Sequence, residues 1–160
     1  MTTGHGPAHR PRMIRSIARR ALPFAAGAFV VCAIAQVFLA GLGVFDDPRA
    51  FITHREFGYT FGWLTLIILV LALLGRVPRR ITGLCGLLLL LFALQSVFVA
   101  LRADYPALAA LHPLNGFLII GTAVVITVQA WSIRHEPVNA AAPVPASVVS
   151  GGVGTGPADA

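Results

Sequence analysis

The sequence predicts an all-α protein, a four-helix transmembrane bundle that runs up-down-up-down with both termini in the cytoplasm. Apolar residues make up 57% of the 160 residues and charged residues only 11%, a balance too apolar for a soluble domain. Four apolar runs are long enough to cross a bilayer, which takes about 20 helical residues. These runs cover residues 21–44, 57–74, 81–101 and 114–131. We therefore expect a multi-pass protein of the cell membrane.

The distribution of arginines predicts the orientation. The chain has twelve basic residues, all of them arginine, and nine lie before the first run, between the second and third, or directly after the fourth. The other three, Arg49, Arg55 and Arg102, share the two remaining loops with four of the six acidic residues. Because arginine-rich loops stay in the cytoplasm, those two loops should lie outside. Anionic lipid accounts for basic juxtamembrane segments, so the bilayer is a predicted partner and nucleic acid is not.

The two ends of the chain have no apolar period. We therefore predict a disordered basic lead at residues 1–20 and a disordered low-complexity tail at residues 135–160. The four-helix domain lies between them, at residues 21–134. The start is also similar to a signal peptide, with Ala33-Ile34-Ala35 as the cleavage site. The apolar run is long for a signal core, which favours an uncleaved first helix.

A weak internal duplication relates the two halves of the chain. From Gln36, an Asp, a Pro, a His and a Gly follow after 10, 12, 18 and 22 residues; from Gln95 the intervals are 9, 11, 17 and 21. One deletion brings all four landmarks into register. The chain should therefore consist of two duplicated helical hairpins, with His54 and His112 as symmetry mates.

Each of these histidines begins a stripe at helical spacing. The stripes are His54, Gly58, Phe61, Thr65 and Ile68 in the second helix, and His112, Gly116, Ile119 and Ala123 in the fourth. In an up-down-up-down bundle the second and fourth helices are diagonal and begin at the same face. The two histidines are thus expected to face each other across the bundle axis near the outer leaflet.

Two neutral imidazoles on opposite helices can ligate one haem iron, and this axial pair suits electron transfer. We therefore predict haem b as the cofactor, with His54 and His112 as axial iron ligands. Six further residues are predicted around it in three pairs: Gly58 and Gly116, which leave room for the macrocycle; Arg55 and Arg102, which meet its propionates; and Gln36 and Gln95, which donate hydrogen bonds. The partner would be a quinol or an extracytoplasmic redox protein.

Other interpretations of the histidines stay open. His112 precedes Pro113, which disfavours helical geometry at the histidine, and both histidines could simply cap helices at the membrane boundary. The chain would then be a cofactor-free structural or accessory subunit of a larger complex, or a homodimer. A copper or other metal site, or a proton relay with the outer acids, is a further alternative. No complete catalytic constellation is present, so we expect an electron carrier or accessory protein rather than an enzyme.

The four-helix plan, with histidines opening the second and fourth helices and Arg55 after the first of them, resembles one half of haem A synthase. More broadly it is similar to the four-helix membrane cytochromes b. The glutamate that haem A synthase has three residues before its first histidine is Phe51 here, the outer-loop cysteine pair is absent, and the second half is missing. The resemblance therefore implies haem ligation by His54 and His112, not haem A synthesis.

A broader likeness covers about residues 30–130. The stretch Phe-Leu-Ala-Gly-Leu-Gly-Val-Phe at 38–45, a His-x-x-x-Gly, and Ala-Leu-His-Pro at 110–113 followed by Asn115 resemble the recurring phrases of an uncharacterised family of small bacterial four-helix membrane proteins. That resemblance implies the fold and no activity.

Overall fold

The computed structural model describes residues 9–135, and these residues are almost wholly helical. The elements are α1 (His9–Phe45), α2 (Ala50–Gly75), α3 (Arg79–Ala100), the single turn α4 (Pro106–Ala109) and α5 (Leu111–Ile133). Four candidate spans, Arg10–Phe45, Ala50–Gly75, Arg79–Ala100 and Pro106–Ile133, are long and apolar enough to cross a membrane. The predicted all-α class with four such helices is confirmed, and it is compatible with a multi-pass membrane protein.

The four long helices form a ring in which each packs against two others. Both α1 and α3 pack against α2 and α5, while in the described part of the chain no Cα atom of α2 comes within 8 Å of α5. Helices α2 and α5 are therefore diagonal partners, as are α1 and α3. Any link across the bundle axis between α2 and α5 must come from side chains.

One stripe of each helix faces this axis. The fully or nearly fully buried positions recur at steps of three or four: Leu22, Ala26, Phe29 and Ala33 in α1; Phe61, Thr65, Ile68 and Ala72 in α2; Ile81, Cys85 and Leu88 in α3; Ile119, Ala123, Ile126 and Ala130 in α5. The two stripes predicted to begin at the histidines are thus buried beyond their first glycines. Large apolar side chains also cover the outside, including Phe117 at 68% exposure, as expected for a surface solvated by lipid rather than water.

The prediction of a disordered lead is wrong over residues 9–20, because α1 already begins at His9. Arginine has a good helix propensity, and extending an existing apolar helix avoids the cost of nucleation. Pro23 consequently lies inside the helix rather than in its first turn. The predictions for residues 1–8 and for the tail beyond residue 135 lie outside the described residues.

The other three long helices also begin earlier than the apolar runs, α3 by two residues, at Arg79. Helix α2 starts at Ala50 rather than at residue 57, and α5 starts at Leu111 rather than at 114. In α2 residues 53–56 continue the helix beyond the part that hydrocarbon would cover, and in α5 Pro113 lies in the first turn, where its missing N–H is harmless. Both histidines therefore lie within helices, not in the loops before them.

The connections place two chemically different ends on the bundle. We call the end with the α1–α2 and α3–α5 connections the histidine end, and the opposite end, formed by residues 9–20, 75–80 and 129–135, the arginine-rich end. At the histidine end, the carboxylate of Asp47 accepts the backbone N–H of Arg49 at 2.9 Å and pairs with its guanidinium at 3.0 Å. This local turn closes the α1–α2 connection within four residues.

At the arginine-rich end, Arg19 fastens α1 to the last turn of α2. Its Nε donates to the carbonyl of Gly75 at 2.8 Å and its Nη2 to that of Arg76 at 3.1 Å. The last carbonyls of a helix have no intrahelical donor, and a cation is favourable beside them. Arg76 then turns the chain with left-handed backbone angles, φ 47° and ψ 48°. Arg19 thus holds α1 against the end of α2, in addition to being one of the basic residues at this end; we call this pair of hydrogen bonds the clamp.

Candidate functional site: two facing histidines

The imidazole rings of His54 and His112 meet across the bundle axis. Their centroids are 6.2 Å apart and their planes cross at 61°. His54 lies in the second turn of α2 and His112 in the first turn of α5, the two helices whose backbones do not approach each other. The facing of the two histidines expected from the sequence is therefore observed, and the rings themselves form the contact.

Each ring is anchored by the helix beside it. His54 Nδ1 lies 3.0 Å from the backbone oxygen of Gln36 in α1, and His112 Nδ1 lies 3.3 Å from that of Gln95 in α3. A carbonyl oxygen can only accept, so in the neutral form of each ring Nδ1 carries the proton and Nε2 keeps its lone pair. This tautomer, fixed by a backbone carbonyl, is the one in which histidine ligates a metal through Nε2.

The same glutamines also fill the space beside the two glycines. A Cβ atom added to Gly58 would lie 2.5 Å from Gln36 Nε2, and one added to Gly116 would lie 3.5 Å from Gln95 Nε2. Each hairpin therefore has the same pair of contacts, carbonyl to imidazole and carboxamide to glycine. Gly58 makes room for the carboxamide of Gln36, one helical turn from His54, whereas a Cβ on Gly116 would be in ordinary van der Waals contact with the carboxamide of Gln95.

Asn115 is a member of this cluster that the sequence reasoning missed. Its side chain is buried at 5% exposure, and its Nδ2 donates to the carbonyl of Leu91 at 2.8 Å and to Oε1 of Gln95. The signal was a lone amide inside an apolar run, three residues after His112. The equivalent residue three positions after His54 is Phe57, and Gln36 Oε1 is a buried oxygen without a hydrogen-bond partner in the described part of the chain. The two halves of the site are thus unequal.

The two arginines expected near haem propionates are exposed and engaged locally. Arg55 donates to the carboxylate of its neighbour Glu56 at 2.8 Å, and Arg102 donates to the carbonyl of Val99 at 3.2 Å. Both lie at the histidine end, and within residues 9–135 neither has a hydrogen bond to the histidine pair. Their role toward propionates stays a prediction.

The histidines do not cap their helices. The N-cap residues are Arg49 for α2 and Ala110 for α5, and neither helix has a side-chain cap hydrogen bond. Both imidazoles instead reach a carbonyl of a neighbouring helix. The helix-capping part of the alternative interpretation is therefore wrong, because each histidine lies one or more residues inside its helix and points away from the free N–H groups.

The separation of the two ring centroids can be compared with that of two imidazoles on one metal ion. Two imidazoles that bind one ion through metal–nitrogen bonds of about 2 Å have centroids roughly 6 Å apart, which agrees with the observed 6.2 Å. Among the described residues no group of three or more His, Cys, Asp or Glu could hold a metal ion. A structural zinc site takes four protein ligands, whereas haem iron brings its own equatorial nitrogens. A macrocycle between the rings would require the carboxamides of Gln36 and Gln95 to turn away from their glycines.

An aromatic cluster lies deeper on the same axis. The rings of Phe29, Phe61 and Phe92 are 5.1–6.0 Å apart in pairs, within the range of favourable aromatic packing. Phe61 is seven residues beyond His54 on the same face of α2. A layer of packed aromatic rings therefore lies next to the polar cluster along the bundle axis.

Residues 36–101 match a family of unknown function, DUF6220. The matched range begins at Gln36 and includes His54 and Gln95, and it ends before His112. No curated protein and no solved structure matches the chain. The match agrees with the expected likeness to an uncharacterised family of four-helix proteins, while the resemblance to haem A synthase stays a prediction. The candidate spans and this match together indicate a membrane protein similar to a family of unknown function.

Proposed function

We propose that this chain is a small membrane cytochrome in which His54 and His112 hold one haem b. The observation that carries the proposal is the ring pair itself, 6.2 Å between centroids with each Nδ1 directed at a backbone carbonyl. Bound haem would supply a one-electron couple, and two axial histidines suit electron transfer. The chain would contribute the two ligands and their fixed tautomers, and the apolar core around them would exclude water.

The surrounding residues have roles that follow from this placement. Gln36 and Gln95 would orient the imidazoles through their backbone oxygens, and their carboxamides would be free to donate to the bound group once turned from the glycines. Gly58 and Gly116 would then border the macrocycle. Arg55 and Arg102, exposed at the same end, would meet the propionates.

We further propose an up-down-up-down bundle in the cell membrane, with both termini in the cytoplasm and two duplicated hairpins. The recurrence of the carbonyl–imidazole and carboxamide–glycine contacts supports the duplication. The positive-inside rule supports the orientation, because nine of the twelve arginines lie at the arginine-rich end. The histidine pair would then lie near the outer leaflet, where a quinol or an extracytoplasmic redox protein could exchange electrons with it.

Absorption spectroscopy tests the cofactor. The protein is produced in cells supplied with a haem precursor, purified in detergent, and measured as a dithionite-reduced minus oxidised difference spectrum beside His54→Ala and His112→Ala. We expect sharp α and Soret bands in the wild type that are lost or altered in both variants. His135→Ala is the matched control, because His135 is exposed at the opposite end, and its spectrum should equal that of the wild type.

A colourless wild-type protein from haem-replete cells would refute the haem proposal. The histidines would then have the second role that their hydrogen bonds support, as ties between α2 and α1 and between α5 and α3. A cofactor-free accessory subunit would follow from that result. Bands that persist in both histidine variants would equally refute ligation by this pair.

Labelling tests the orientation separately. Single cysteines are introduced as Arg79→Cys and Asp104→Cys in a chain from which Cys32 and Cys85 have been removed. A membrane-impermeant maleimide added to intact spheroplasts should label the residue at position 104 and not that at 79, and lysis should expose both. Labelling at 79 alone would mean that the bundle is inverted.

A further inference from the structure

A groove at the arginine-rich end lies between the start of α3 and the end of α5. Its volume is about 320 Å³, and its lining combines polar and apolar side chains: Pro78, Arg80, Ile81, Gln129, Ser132 and Ile133. Arg80 and Gln129 have no hydrogen-bond partner among residues 9–135, and Ser132 uses its hydroxyl proton on the carbonyl of Val128 at 3.2 Å. Two donors, a guanidinium and an amide, are thus available beside an apolar floor.

Among the described residues, no acidic side chain compensates the charge around this groove. The described part of the chain contains four acidic residues, and all four lie at the histidine end. Its ion pairs, Arg49 with Asp47 and Arg55 with Glu56, lie there as well. Around the groove, by contrast, the described charged residues are arginines from α1, the α2–α3 turn and the end of α5. The groove therefore lies in a strongly positive potential.

The first turn of α3 adds to this preference for an anion. Arg80 is the second residue of α3, and the N-cap residue Pro78 provides no side-chain cap. The first N–H groups of a helix lack intrahelical acceptors and favour an anionic ligand. The helix terminus thus adds to the positive potential near the groove.

We propose that this groove binds the phosphate headgroup of an anionic phospholipid, with Arg80 and Gln129 as donors and an acyl chain along Ile81 and Ile133. A lipid fits better than a free phosphate, because half of the lining is apolar and the groove lies at the ends of two candidate spans. Basic pockets between helices at the cytoplasmic side recognise such headgroups. The proposal is independent of haem, since the groove lies at the opposite end of the helices from the histidines.

Native mass spectrometry of the full chain tests this proposal. Detergent-purified protein is mixed with equal amounts of dioleoylphosphatidylglycerol and dioleoylphosphatidylcholine, and the singly bound species are compared. We expect a preference for the anionic lipid of about fivefold, which Arg80→Gln abolishes and Gln129→Ala weakens. Arg79→Gln is the matched control: it removes the same charge from the next residue, which is exposed and does not line the groove.

Three results would overturn the proposal. The wild type could bind both lipids equally, or Arg79→Gln could lower the preference as much as Arg80→Gln, which would indicate a diffuse charge effect. Millimolar glycerol 1-phosphate could remove the bound lipid, which would indicate a site for the soluble headgroup. Circular dichroism checks that each variant stays helical. If Arg80→Gln unfolds, Gln129→Ala is the deciding variant. An unchanged preference for the anionic lipid in Gln129→Ala would contradict the proposed role of Gln129 as a donor.

Discussion

Gly62 and Gly121 both lie near the middle of their helices, α2 and α5, but have different surroundings. A Cβ atom on Gly62 would overlap the ring of Phe92, whereas one on Gly121 would meet nothing within 4 Å. Phe92 is itself held by Phe29 and Phe61. At the residue scale, the cost of one methyl group therefore depends on whether an aromatic ring has to move.

We expect Gly62→Ala to lower the free energy of unfolding by about 1–3 kcal/mol, as overpacking of a filled core does. Gly121→Ala is the control and should be neutral or slightly stabilising, because alanine is the better helix former. Thermal unfolding in detergent, followed by circular dichroism, measures both variants. Equal melting temperatures for the two would contradict the packing described for Phe92.

A second prediction at this scale concerns Asn115. Asn115→Ala removes the donor to Gln95 Oε1 and to the Leu91 carbonyl, and interhelical hydrogen bonds in membranes are worth about 0.6–1.7 kcal/mol. We expect a loss of stability of that size. Thr127→Ala is the matched control, because the hydroxyl of Thr127 donates within its own helix, to the carbonyl of Ala123. An unchanged unfolding midpoint in Asn115→Ala would show that the bond contributes nothing.

At the scale of the element, the end of α2 depends on two arginines with different tasks. Arg19 supplies donors to carbonyls that the helix leaves free, and Arg76 adopts the left-handed conformation that ends it. Neither role depends on which side of the membrane the arginines occupy. The contribution of each arginine to stability can therefore be measured without knowing the membrane topology.

Removing the clamp should loosen the last turn of α2. In Arg19→Gln we expect faster hydrogen exchange at the amides of Arg76 and Val77, which bond to Leu73 and Ala72, and a loss of about 1 kcal/mol. Arg20→Gln removes the same charge from an exposed neighbour and should leave both exchange rates unchanged. A similar acceleration in the two variants would assign the effect to charge alone.

For Arg76, which has left-handed backbone angles, we expect a substitution to stabilise the protein rather than destabilise it. A non-glycine residue in this conformation costs about 1–2 kcal/mol, so Arg76→Gly should raise the melting temperature. Arg76→Ala removes the same side chain and keeps the strain, and it should not raise it. If alanine stabilises as much as glycine, the side chain and not the backbone is responsible.

The stripes of α2 and α5 could be predicted because burial repeats with the helical period, as at Phe61, Thr65 and Ile68. The facing histidines could be predicted because the duplication fixes their depth and the short connections fix which helices are diagonal. The contacts of Gln36 with Gly58 and of Asn115 with Gln95 could not, because they depend on how far one helix is rotated and shifted along another. The early start of α1 could not be predicted for a different reason. Hydropathy indicates which residues hydrocarbon would cover, and a helix can begin before that boundary.

At the scale of the whole molecule, two features act at opposite ends of one bundle. The histidine end holds hydrogen bonds that tie neighbouring helices together and two imidazoles that meet across the bundle axis, and the arginine-rich end holds exposed cations around a groove. Because the two sites share only the helices between them, their tests are independent. A variant at Arg80 should leave the haem spectrum unchanged, and one at His54 should leave lipid preference unchanged; a paired loss in both assays would point to misfolding.

The length of α1 has a further consequence for the first turns of that helix. Its 37 residues extend for about 55 Å, against roughly 30 Å of hydrocarbon, so several turns would project beyond the hydrocarbon. Their first turn contains no acidic residue, and arginines there oppose the positive end of the helix dipole. The projecting turns should therefore exchange between helix and coil, and the surface potential should set the balance. We expect them to be helical against an anionic leaflet, and frayed in a neutral micelle or at high ionic strength.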